Sequence, residues 1–421
     1  MALPAMLEKY FENELPGAMK MLQQMVAVNS FTENRSGVLR LGQITATYFQ
    51  QLGFQSEFVH SKTPQYGDHL YMHHNGRSDC TICMISHLDT VFSEEDCLRN
   101  NFAWSRKGDR IYGPGVVDIK GGTVLMHLVL SALRHFWPEL FEQVHWLAHF
   151  NASEECLSSH FCEGVLGRLR GNTLACLVFE SGVVRDKEFS LVESRKGRSV
   201  FRVYATGRAA HAGSNHDRGA NAIRELARAI EKIEAMTDYK RDLTFNVGRI
   251  EGGAVANGVP NFAEALVEMR AFDPEVLKKG IEEMMALDGT STVKSASDGF
   301  ASTLHVRKYS EVLPWPQNEM TKDLLQLYGK AAEMMGGSVL PTSRGGLSDG
   351  NMLALKVPTL DGMGPSGANA HCAETSEDGS REAEYVDWSS MVPKAVLNTL
   401  AILRLLDRQQ KLKPWMPEIN A

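Results

Sequence analysis

The sequence predicts two domains, a mixed-sheet α/β/α domain built from two separate segments and a smaller α+β domain inserted between them. A chain of 421 residues is too long for one ordinary hydrophobic core. Strand and helix patterns alternate through residues 1–196, as in a sheet covered by helices. The pattern changes to β-α-β-β-α-β within residues 197–310 and returns to helix–strand alternation in residues 311–421.

Short apolar runs in the first segment predict buried strands, and longer apolar runs predict helices. We predict strands at 81–86, 144–150 and 174–179 and helices at 39–52 and 121–136. Gly53 ends the first of these helices and Pro138 closes the second. Polar residues follow each strand at once, and open α/β sheets bind ligands at the carboxyl edge of their strands. We therefore expect a functional site at that edge.

The middle segment has the alternation of half-exposed strands and the spacing of amphipathic helices. We predict strands at 200–204, 263–270 and 302–309 and helices at 221–236 and 276–287. This order is typical of a ferredoxin-like sandwich. Beyond Pro314 and Pro316 the sequence predicts helices at 318–335 and 391–406 and a strand at 359–361.

Composition excludes several classes of protein. The net charge is −7, from 44 basic and 51 acidic residues, and no concentrated basic surface suits nucleic acid. No uninterrupted run of 18 apolar residues predicts a membrane span, and the charged residues among the first 22 do not fit a signal peptide. Seven cysteines at irregular spacing favour reduced thiols in the cytoplasm. Cys80 and Cys83 lie in an apolar strand pattern, so we interpret them as buried thiols.

Five side chains that could bind a metal ion follow predicted strands or lie in Gly-rich turns. They are His87, Asp118, Glu155, Glu180 and His371. Each alone is more simply explained as a solvated loop residue. Together, two histidines and three carboxylates could form two three-ligand sites if one carboxylate bridges, and catalytic zinc sites keep a position open for water.

Two further carboxylates suit supporting roles in such a site. Asp89 lies two residues beyond His87, where it could hold the second ring nitrogen, although an ordinary turn cap is the simpler explanation. Glu154 and Glu155 are adjacent carboxylates at a strand end. Beside a dication one of them could bind the metal while its neighbour takes a proton from water.

These motifs, in this order along residues 17 to 410, resemble the zinc carboxypeptidase and aminoacylase superfamily of metallopeptidases, and most closely its folate-hydrolysing glutamate carboxypeptidase branch. The motifs are Ser-His87-Leu-Asp89-Thr, Gly-Val-Val-Asp118-Ile-Lys-Gly-Gly, Glu154-Glu155, Phe-Glu180-Ser-Gly, Gly-Arg-Ala-Ala-His211-Ala-Gly, His371 and Ala383-Glu-Tyr-Val-Asp387. The resemblance implies a zinc-peptidase catalytic domain in residues 1–196 and 311–421, and a dimerisation domain at 197–310.

The resemblance also implies a role for each matching residue. Asp118 would bridge two Zn²⁺ ions per subunit, with Co²⁺ or Mn²⁺ as substitutes. His87 and Glu180 would complete one site, and Glu155 and His371 the other. Glu154 would be the general base, and Asp89 would orient His87. A cis peptide is expected between Asp118 and Ile119.

The inserted domain and the Gly-rich loop would supply substrate contacts. By resemblance His211 would stabilise the oxyanion, reaching the site of the partner subunit in a homodimer. Asn257 and Arg270 would contact the substrate, and Gly346 would lie near its backbone. Taken alone, Asn257 would be a turn residue and Arg270 a strand-face residue. The implied substrate is a small peptide or an N-acyl amino acid.

Three functions remain open from the sequence. The first is a di-zinc carboxypeptidase that cleaves an amide bond next to a free carboxylate. The second is an N-acyl-amino-acid deacylase or desuccinylase, which uses the same metals on a different acyl group. The third, a non-catalytic dimeric binding relative, is disfavoured because every predicted ligand and the base are present. A cysteine hydrolase is also disfavoured, since no Cys-His-Asn arrangement accompanies Cys156 or Cys372.

Overall fold

The computed structural model describes residues 2–156, 159–376 and 378–409. The chain folds into two compact units. The main unit comprises residues 1–193, 317–343 and 348–421, and the inserted unit comprises residues 194–316 and 344–347. These boundaries fall a few residues from those of the predicted domains, and the loop 344–347 is grouped with the inserted unit.

The strands and helices are numbered in chain order. The strands are β1 (Gln55–Val59), β2 (His69–His74), β3 (Cys80–His87), β4 (Ser105–Lys107), β5 (Arg110–Tyr112), β6 (His145–Asn151), β7 (Asn172–Val178), β8 (Val184–Arg185), β9 (Glu188–Arg195), β10 (Gly197–Thr206), β11 (Ala210–His211), β12 (Thr244–Gly252), β13 (Gly258–Val259), β14 (Phe262–Ala271), β15 (Thr303–Val312), β16 (Ser338–Arg344), β17 (Thr359–Asp361), β18 (Gly367–Ala368) and β19 (Tyr385–Asp387). The α-helices are α1 (Leu3–Val26), α2 (Arg35–Gln50), α3 (Glu94–Arg99), α4 (Gly121–Phe136), α5 (Pro138–Phe141), α6 (Ser159–Arg168), α7 (Ala222–Glu234), α8 (Pro274–Met285), α9 (Glu319–Met334), α10 (Gly350–Leu353) and α11 (Met391–Asp407).

The main unit is built on a mixed sheet whose strand order is β1-β2-β6-β3-β7-β17-β9-β16, with β8 paired to β9. Its centre is parallel, because β3 pairs in parallel with both β6 and β7, and β7 pairs in parallel with β17. Along β3, Ile82 and Met84 belong to one hydrophobic core, while Cys83 and Ile85 belong to another. The sheet is therefore buried on both faces, as the predicted α/β/α architecture requires.

Helices cover both faces of this sheet. α1, α4, α9 and α11 form one layer, in which α4 and α11 pack against each other and against α1. Two stretches, Val116–Phe136 and Trp388–Asp407, have the length and composition of a membrane span, yet 83% and 78% of their apolar windows lie inside the protein. Both behave as core helices of the main unit.

The inserted unit is a four-stranded antiparallel sheet with two helices. Its strand order is β12-β14-β10-β15, which gives 2-3-1-4 in the order of the four long strands along the chain. Apolar residues of α7 and α8 pack on one face of the sheet. This is the ferredoxin-like arrangement that the sequence predicted, and the fold class is confirmed.

Several local predictions also hold. α4 begins and ends at the predicted residues, and α7 begins after Asn221, whose side chain accepts a hydrogen bond from the amide of Arg224. Cys80 and Cys83 are buried and form no disulfide. The peptide bond between Asp118 and Ile119 is cis.

Candidate metal centre

Three of the predicted ligands lie at the carboxyl edge of the parallel strands. His87 is the last residue of β3, Glu155 lies in the turn after β6, and Glu180 follows β7 by two residues. Because β6, β3 and β7 are parallel neighbours, their carboxyl ends meet at the same edge of the sheet. Loops from elsewhere in the main unit bring Asp118 and His371 to this edge.

The first group of potential ligands consists of His87, Asp118 and Glu180. The Nε2 atom of His87 lies 3.0 Å from Oδ1 of Asp118 and 3.6 Å from Oε1 of Glu180. His87 is buried, and the two carboxylates are partly exposed. One ligand atom from each residue lies within 4.8 Å of the others, which is close enough to share one ion.

The second group consists of Asp118, Glu155 and His371. The Nε2 atom of His371 lies 3.2 Å from Oδ2 of Asp118 and 3.1 Å from Oε2 of Glu155. The two oxygens of the Asp118 carboxylate therefore face different histidines, Oδ1 toward His87 and Oδ2 toward His371. This geometry allows a single carboxylate to bridge two cations.

The donor set fits divalent metal ions of the zinc type. Imidazole nitrogen and carboxylate oxygen are zinc ligands, with bonds of about 2.0–2.2 Å. Two ligand atoms at tetrahedral positions around one such ion lie about 3.3 Å apart. The observed separations of 3.0 to 3.6 Å match that spacing. Each group holds three protein ligands, which leaves room for water or substrate as a catalytic site requires.

The charges at this edge favour a cation. Burial opposes a charged imidazole at His87, but hydrogen bonds to Asp118 and Asp89 hold its pKa well above the usual value. Hydrogen bonds to Asp118 and Glu155 raise the pKa of His371 to about 11. The same contacts outweigh burial at Asp118 and hold its pKa well below the usual range. The carboxylates that stabilise the charged imidazoles would also attract a metal cation, which would replace the protons on the two histidines.

Glu154 adjoins this centre but belongs to neither group of ligands. Its backbone amide donates to Oδ1 of Asp89 at 3.0 Å, and the amide of Glu155 donates to Oδ2 of Asp89 at 3.3 Å. Burial raises the pKa of Glu154 well above its ordinary value, and the neighbouring Glu180 adds to the effect. A partly buried carboxylate with a raised pKa is suited to the role of a general base.

Asp89 contacts His87 differently from the expected carboxylate–imidazole pair. The Nδ1 atom of His87 lies 3.0 Å from the backbone carbonyl oxygen of Asp89 and 3.5 Å from its carboxylate Oδ1. The carboxylate mainly accepts hydrogen bonds from the two amides of the Glu154-Glu155 turn and from the hydroxyl of Thr32 at 2.7 Å. The residue therefore connects the His87 strand to the turn that carries the adjacent glutamates.

The predicted substrate residues of the inserted unit form two groups. In the first, β11 pairs with β13, so that His211 lies opposite Gly258, and the amide of Ala212 donates to the carbonyl of Asn257 at 3.0 Å. The Nδ1 atom of His211 accepts hydrogen bonds from the amides of Gly213 and Ser214, at 3.1 and 3.2 Å. Since Nδ1 accepts, Nε2 carries the proton of the neutral ring, and exposed His211 presents an N–H donor.

Arg270 and the loop 344–347 form the second group. The guanidinium of Arg270 donates to the carboxylate of Glu268 and, at 2.7 Å, to the carbonyl of Gly345. The carbonyl of Gly346 accepts from buried Arg195 at 2.9 Å. Arg270 and Gly346 are thus held in one region of the inserted unit, and their contacts with substrate stay predictions.

The structure adds polar residues that sequence reasoning gave no role. Buried Asn151 donates to Oδ1 of Asp349 at 2.9 Å and accepts from the amide of Ser153 at 3.1 Å, which braces the turn before Glu154. Burial raises the pKa of Asp349 to about 7. Glu384 is also buried, and burial raises its pKa to about 8, with the nearby Asp118 charge adding to the shift. Their partners are remote in sequence, so no local pattern reveals them.

Comparisons with known proteins agree with this architecture. Residues 194–288 match the family model of the peptidase dimerisation domain. The chain is 25% identical to carboxypeptidase G2 of Pseudomonas over 395 residues, covering 93% of this chain and 90% of that protein. It is 25% identical to N-acetyl-L-citrulline deacetylase of Xanthomonas campestris over 264 residues, or 59% of this chain and 65% of that protein.

Solved structures share the fold across almost the whole chain. An aminopeptidase from Bacillus cereus superposes with a TM-score of 0.72 at 19% identity and covers 93% of this chain and 98% of its own. A metallo-carboxypeptidase of the M20 family from Sulfolobus solfataricus gives a TM-score of 0.69 at 14% identity, with coverage of 92% and 99%. The dinuclear metal-binding M20 peptidase of Bacillus subtilis gives 0.63 at 14% identity, with coverage of 92% and 98%.

The mixed-sheet unit, the inserted dimerisation domain and the paired groups of ligands together define a metal-dependent peptidase. Residues 194–288 thus match the M20 dimerisation domain, and almost the whole chain is similar to carboxypeptidase G2 and shares the fold of M20 metallopeptidases. These matches confirm the resemblance predicted from the sequence motifs and the assignment of the chain as a metal-dependent enzyme.

Proposed function

We propose that the protein is a di-zinc amidohydrolase that cleaves an amide bond adjacent to a free carboxylate, in the manner of a glutamate carboxypeptidase. The observation that carries this proposal is the Asp118 carboxylate, whose two oxygens face His87 and His371 separately. That arrangement supports two cations at a short distance, each with three protein ligands. Zn²⁺ suits the donors, and Co²⁺ or Mn²⁺ could replace it.

In this proposal the protein positions the attacking water, the substrate and a general base around the two cations. Two bound cations would polarise the scissile carbonyl and make water a better nucleophile. Glu154 takes a proton from the attacking water and passes it to the leaving amine. Its raised pKa supports this exchange, because a carboxylate with a raised pKa is a stronger base than an ordinary exposed one.

Arg270 supports the expectation of a substrate with a free carboxylate. Among the described residues, three of the five guanidinium N–H groups have partners, through Glu268 and the carbonyl of Gly345. Two donors remain, and paired arginine donors match a carboxylate. Asn257 would add a contact to the same substrate, and His211 would donate its Nε2 proton to the oxyanion.

A deacylase is the second candidate function. The N-acetyl-L-citrulline deacetylase of Xanthomonas campestris is as similar in identity as carboxypeptidase G2, although over less of the chain. Both reactions need the same cations, base and oxyanion donor, so the metal centre does not distinguish them. The difference lies in whether the acyl group or the amino acid carboxylate is recognised.

Homodimer formation and a cytoplasmic location complete the proposal. The dimerisation domain supports a pair of subunits. All seven cysteines are unpaired with one another, which suits a reducing compartment. The molar mass in solution, measured by light scattering, should be twice that of the 46.7 kDa chain.

The proposal is tested by metal analysis and a substrate panel on the same preparation. The zinc-loaded protein should contain about two ions per chain, and a chelator should abolish turnover that added Zn²⁺ restores. Peptides and aryl amides ending in glutamate should be cleaved in preference to N-acetyl and N-succinyl amino acids. Preference for the N-acyl substrates would identify a deacylase instead. A fully loaded protein with one ion or none would overturn the two-metal proposal.

A further inference from the structure

Glu384 is a buried carboxylate of the main unit that contacts the metal centre through backbone groups. It precedes β19 and is fully buried. Its Oε1 atom accepts hydrogen bonds from the amides of Val117 at 3.0 Å and Asp118 at 3.3 Å. The carboxylate therefore holds the backbone at the residue whose side chain faces both histidines.

The backbone of Glu384 contacts a second ligand-bearing loop. Its amide donates to the carbonyl of Cys372 at 2.8 Å, and Cys372 directly follows His371. One residue thus links the loop of Asp118 to the loop of His371. These are the two ligands whose side chains lie 3.2 Å apart in the second group.

Glu384 is not placed to bind the ion itself. It belongs to neither group of ligand atoms that converge on a common point. Oε1 is occupied by two amides, and Oε2 is buried without a hydrogen-bond partner among the described residues. Its effect on a cation must therefore pass through the positions of Asp118 and His371.

We propose that Glu384 is a positioning residue that fixes the loops of Asp118 and His371 in register, so that the cation these residues share with Glu155 binds tightly. Groups that orient metal ligands change metal affinity by about 10–100-fold when they are removed. The inference rests on the proposed two-metal centre. It predicts an unequal effect, since His371 belongs to only one of the two groups of ligands.

Glu382 supplies a matched control in the same segment. Its carboxylate accepts from Arg110 and from the hydroxyl of Tyr112, both at 2.7 Å, and it is partly exposed. Glu382→Met changes the same loop and the same side-chain type without removing the acceptor at the Asp118 amide. Glu384→Met keeps the buried volume but removes that acceptor, and Glu384→Gln retains an acceptor oxygen.

The experiment measures zinc affinity of the metal-depleted full-length variants by titration against a chromophoric chelator, with circular dichroism as the check on folding. Glu384→Met should bind one of two ions about 10–100-fold more weakly than the wild type. Glu382→Met should match the wild type, and Glu384→Gln should stay within a few fold of it. Wild-type affinity in folded Glu384→Met would overturn the inference. If that variant does not fold, loss of one ion in folded Glu384→Gln would overturn it instead.

A double-mutant cycle tests the route through His371. In a His371→Ala background, Glu384→Met should cause a smaller further loss than in the wild type, because the part of its effect that passes through His371 is already gone. In a Glu180→Ala background it should still cause the full loss. Additive losses with His371→Ala would overturn the inference. If the wild type itself takes up fewer than two ions, the proposed function fails, while the comparison of Glu384→Met with Glu382→Met still decides whether Glu384 supports the ion that binds.

Discussion

Glu225 of the inserted unit and three carboxylates of the main unit lie in opposite electrostatic environments. In the inserted unit Glu225 is buried in the first turn of α7, and it accepts hydrogen bonds from both the amide and the hydroxyl of Thr292, the amide of Val293 and the hydroxyl of Ser302, at 2.6 to 3.0 Å. Burial alone would raise its pKa, but these donors outweigh burial and hold the pKa below its ordinary value. The charged form is the stable one.

Three carboxylates of the main unit, Asp349, Glu384 and Glu154, have raised pKa values instead. Asp349 accepts from Asn151 and from the thiol of Cys162, and its pKa is raised by burial to about 7. Glu384 has one oxygen without a partner among the described residues, and Glu154 lies among like charges. Glu225 therefore stabilises the inserted unit in its charged form, whereas Asp349, Glu384 and Glu154 lie where protonation or a bound ion can change the charge.

The largest expected effect is the loss of turnover on substitution of Glu154, the proposed general base of the main unit. Glu154→Gln should retain both metal ions and lower kcat by about 10²–10⁴, because the amide cannot take the proton from water. The neighbouring Glu155→Gln should weaken metal binding, since Oε2 of Glu155 lies 3.1 Å from Nε2 of His371. Turnover numbers and elemental metal analysis on both variants check the pair. Reversed phenotypes would show that the two roles are exchanged.

His211 of the inserted unit should come next. Removing one oxyanion donor costs about 2.7–4 kcal/mol, or about 10²–10³ in kcat. His211→Ala should therefore lower kcat by that factor with unchanged metal content. His216→Ala is the control, because this exposed histidine lies in the same loop. Loss of metal in His211→Ala would contradict a role confined to the oxyanion.

Mixing variants then tests whether His211 acts across a dimer. His211→Ala and Glu154→Gln should each be nearly inactive alone. If the histidine serves the partner's site, subunit exchange creates one site with an intact base and an intact histidine. Random exchange would then restore about one quarter of wild-type activity. Demonstrated heterodimers without recovery would place His211 in the site of its own subunit or outside catalysis.

The sequence predicted the parts of the site that depend on strand ends. His87, Glu155 and Glu180 follow three apolar runs, and parallel neighbours bring the ends of such runs together. Asp118 and His371 do not end strands; they were singled out by their Gly-rich turns, and the resemblance of their motifs then gave them a role. The supporting residues could not be predicted, because Glu384 and the amide of Val117 are 267 positions apart in sequence.

Prediction of the helices and strands also depended on local sequence signals. α4 was predicted to the residue, because its apolar run is bounded by glycines and by Pro138. α1 was not assigned, because its charged residues and the internal Pro16 obscure the apolar face that packs on the core. The edge strand β16 was also not assigned, since it is largely exposed and has no continuous apolar run. Local patterns therefore identify elements whose apolar residues are continuous or regularly spaced, and miss elements whose apolar pattern is interrupted.

A smaller effect is expected for substitution of Glu225, and it should change the free energy of unfolding rather than turnover. Hydrogen bonds to a charged acceptor contribute about 1.5–3 kcal/mol and those to a neutral one about 0.5–1.5. Glu225→Gln should therefore lower the free energy of unfolding by about 1–2 kcal/mol, with kcat and metal content unchanged. Glu264→Gln, which breaks a partly exposed ion pair with Arg202, should cost less than about 1 kcal/mol. Urea unfolding at pH 7 measures both.

The smallest expected effect is the pH dependence of the difference in unfolding free energy between wild type and Glu225→Gln. The folded pKa of Glu225 lies below its ordinary value of about 4.3, so the unfolded chain binds the proton more readily. Its contribution is complete above the unfolded pKa and is lost as the pH falls through the folded pKa. The stability gap between wild type and Glu225→Gln should therefore stay constant from about pH 7 to 5.5 and shrink below about pH 4.

Asp349, with its raised pKa, has the opposite sign: in the metal-free protein its contribution to stability is lost as the pH rises toward 7. Urea unfolding across this range measures the free energy of unfolding of wild type, Glu225→Gln and Asp349→Asn. The stability of the wild type relative to Glu225→Gln should fall as the pH is lowered, and its stability relative to Asp349→Asn should fall as the pH is raised. A change in the same direction for both variants would remove the contrast between Glu225 and Asp349.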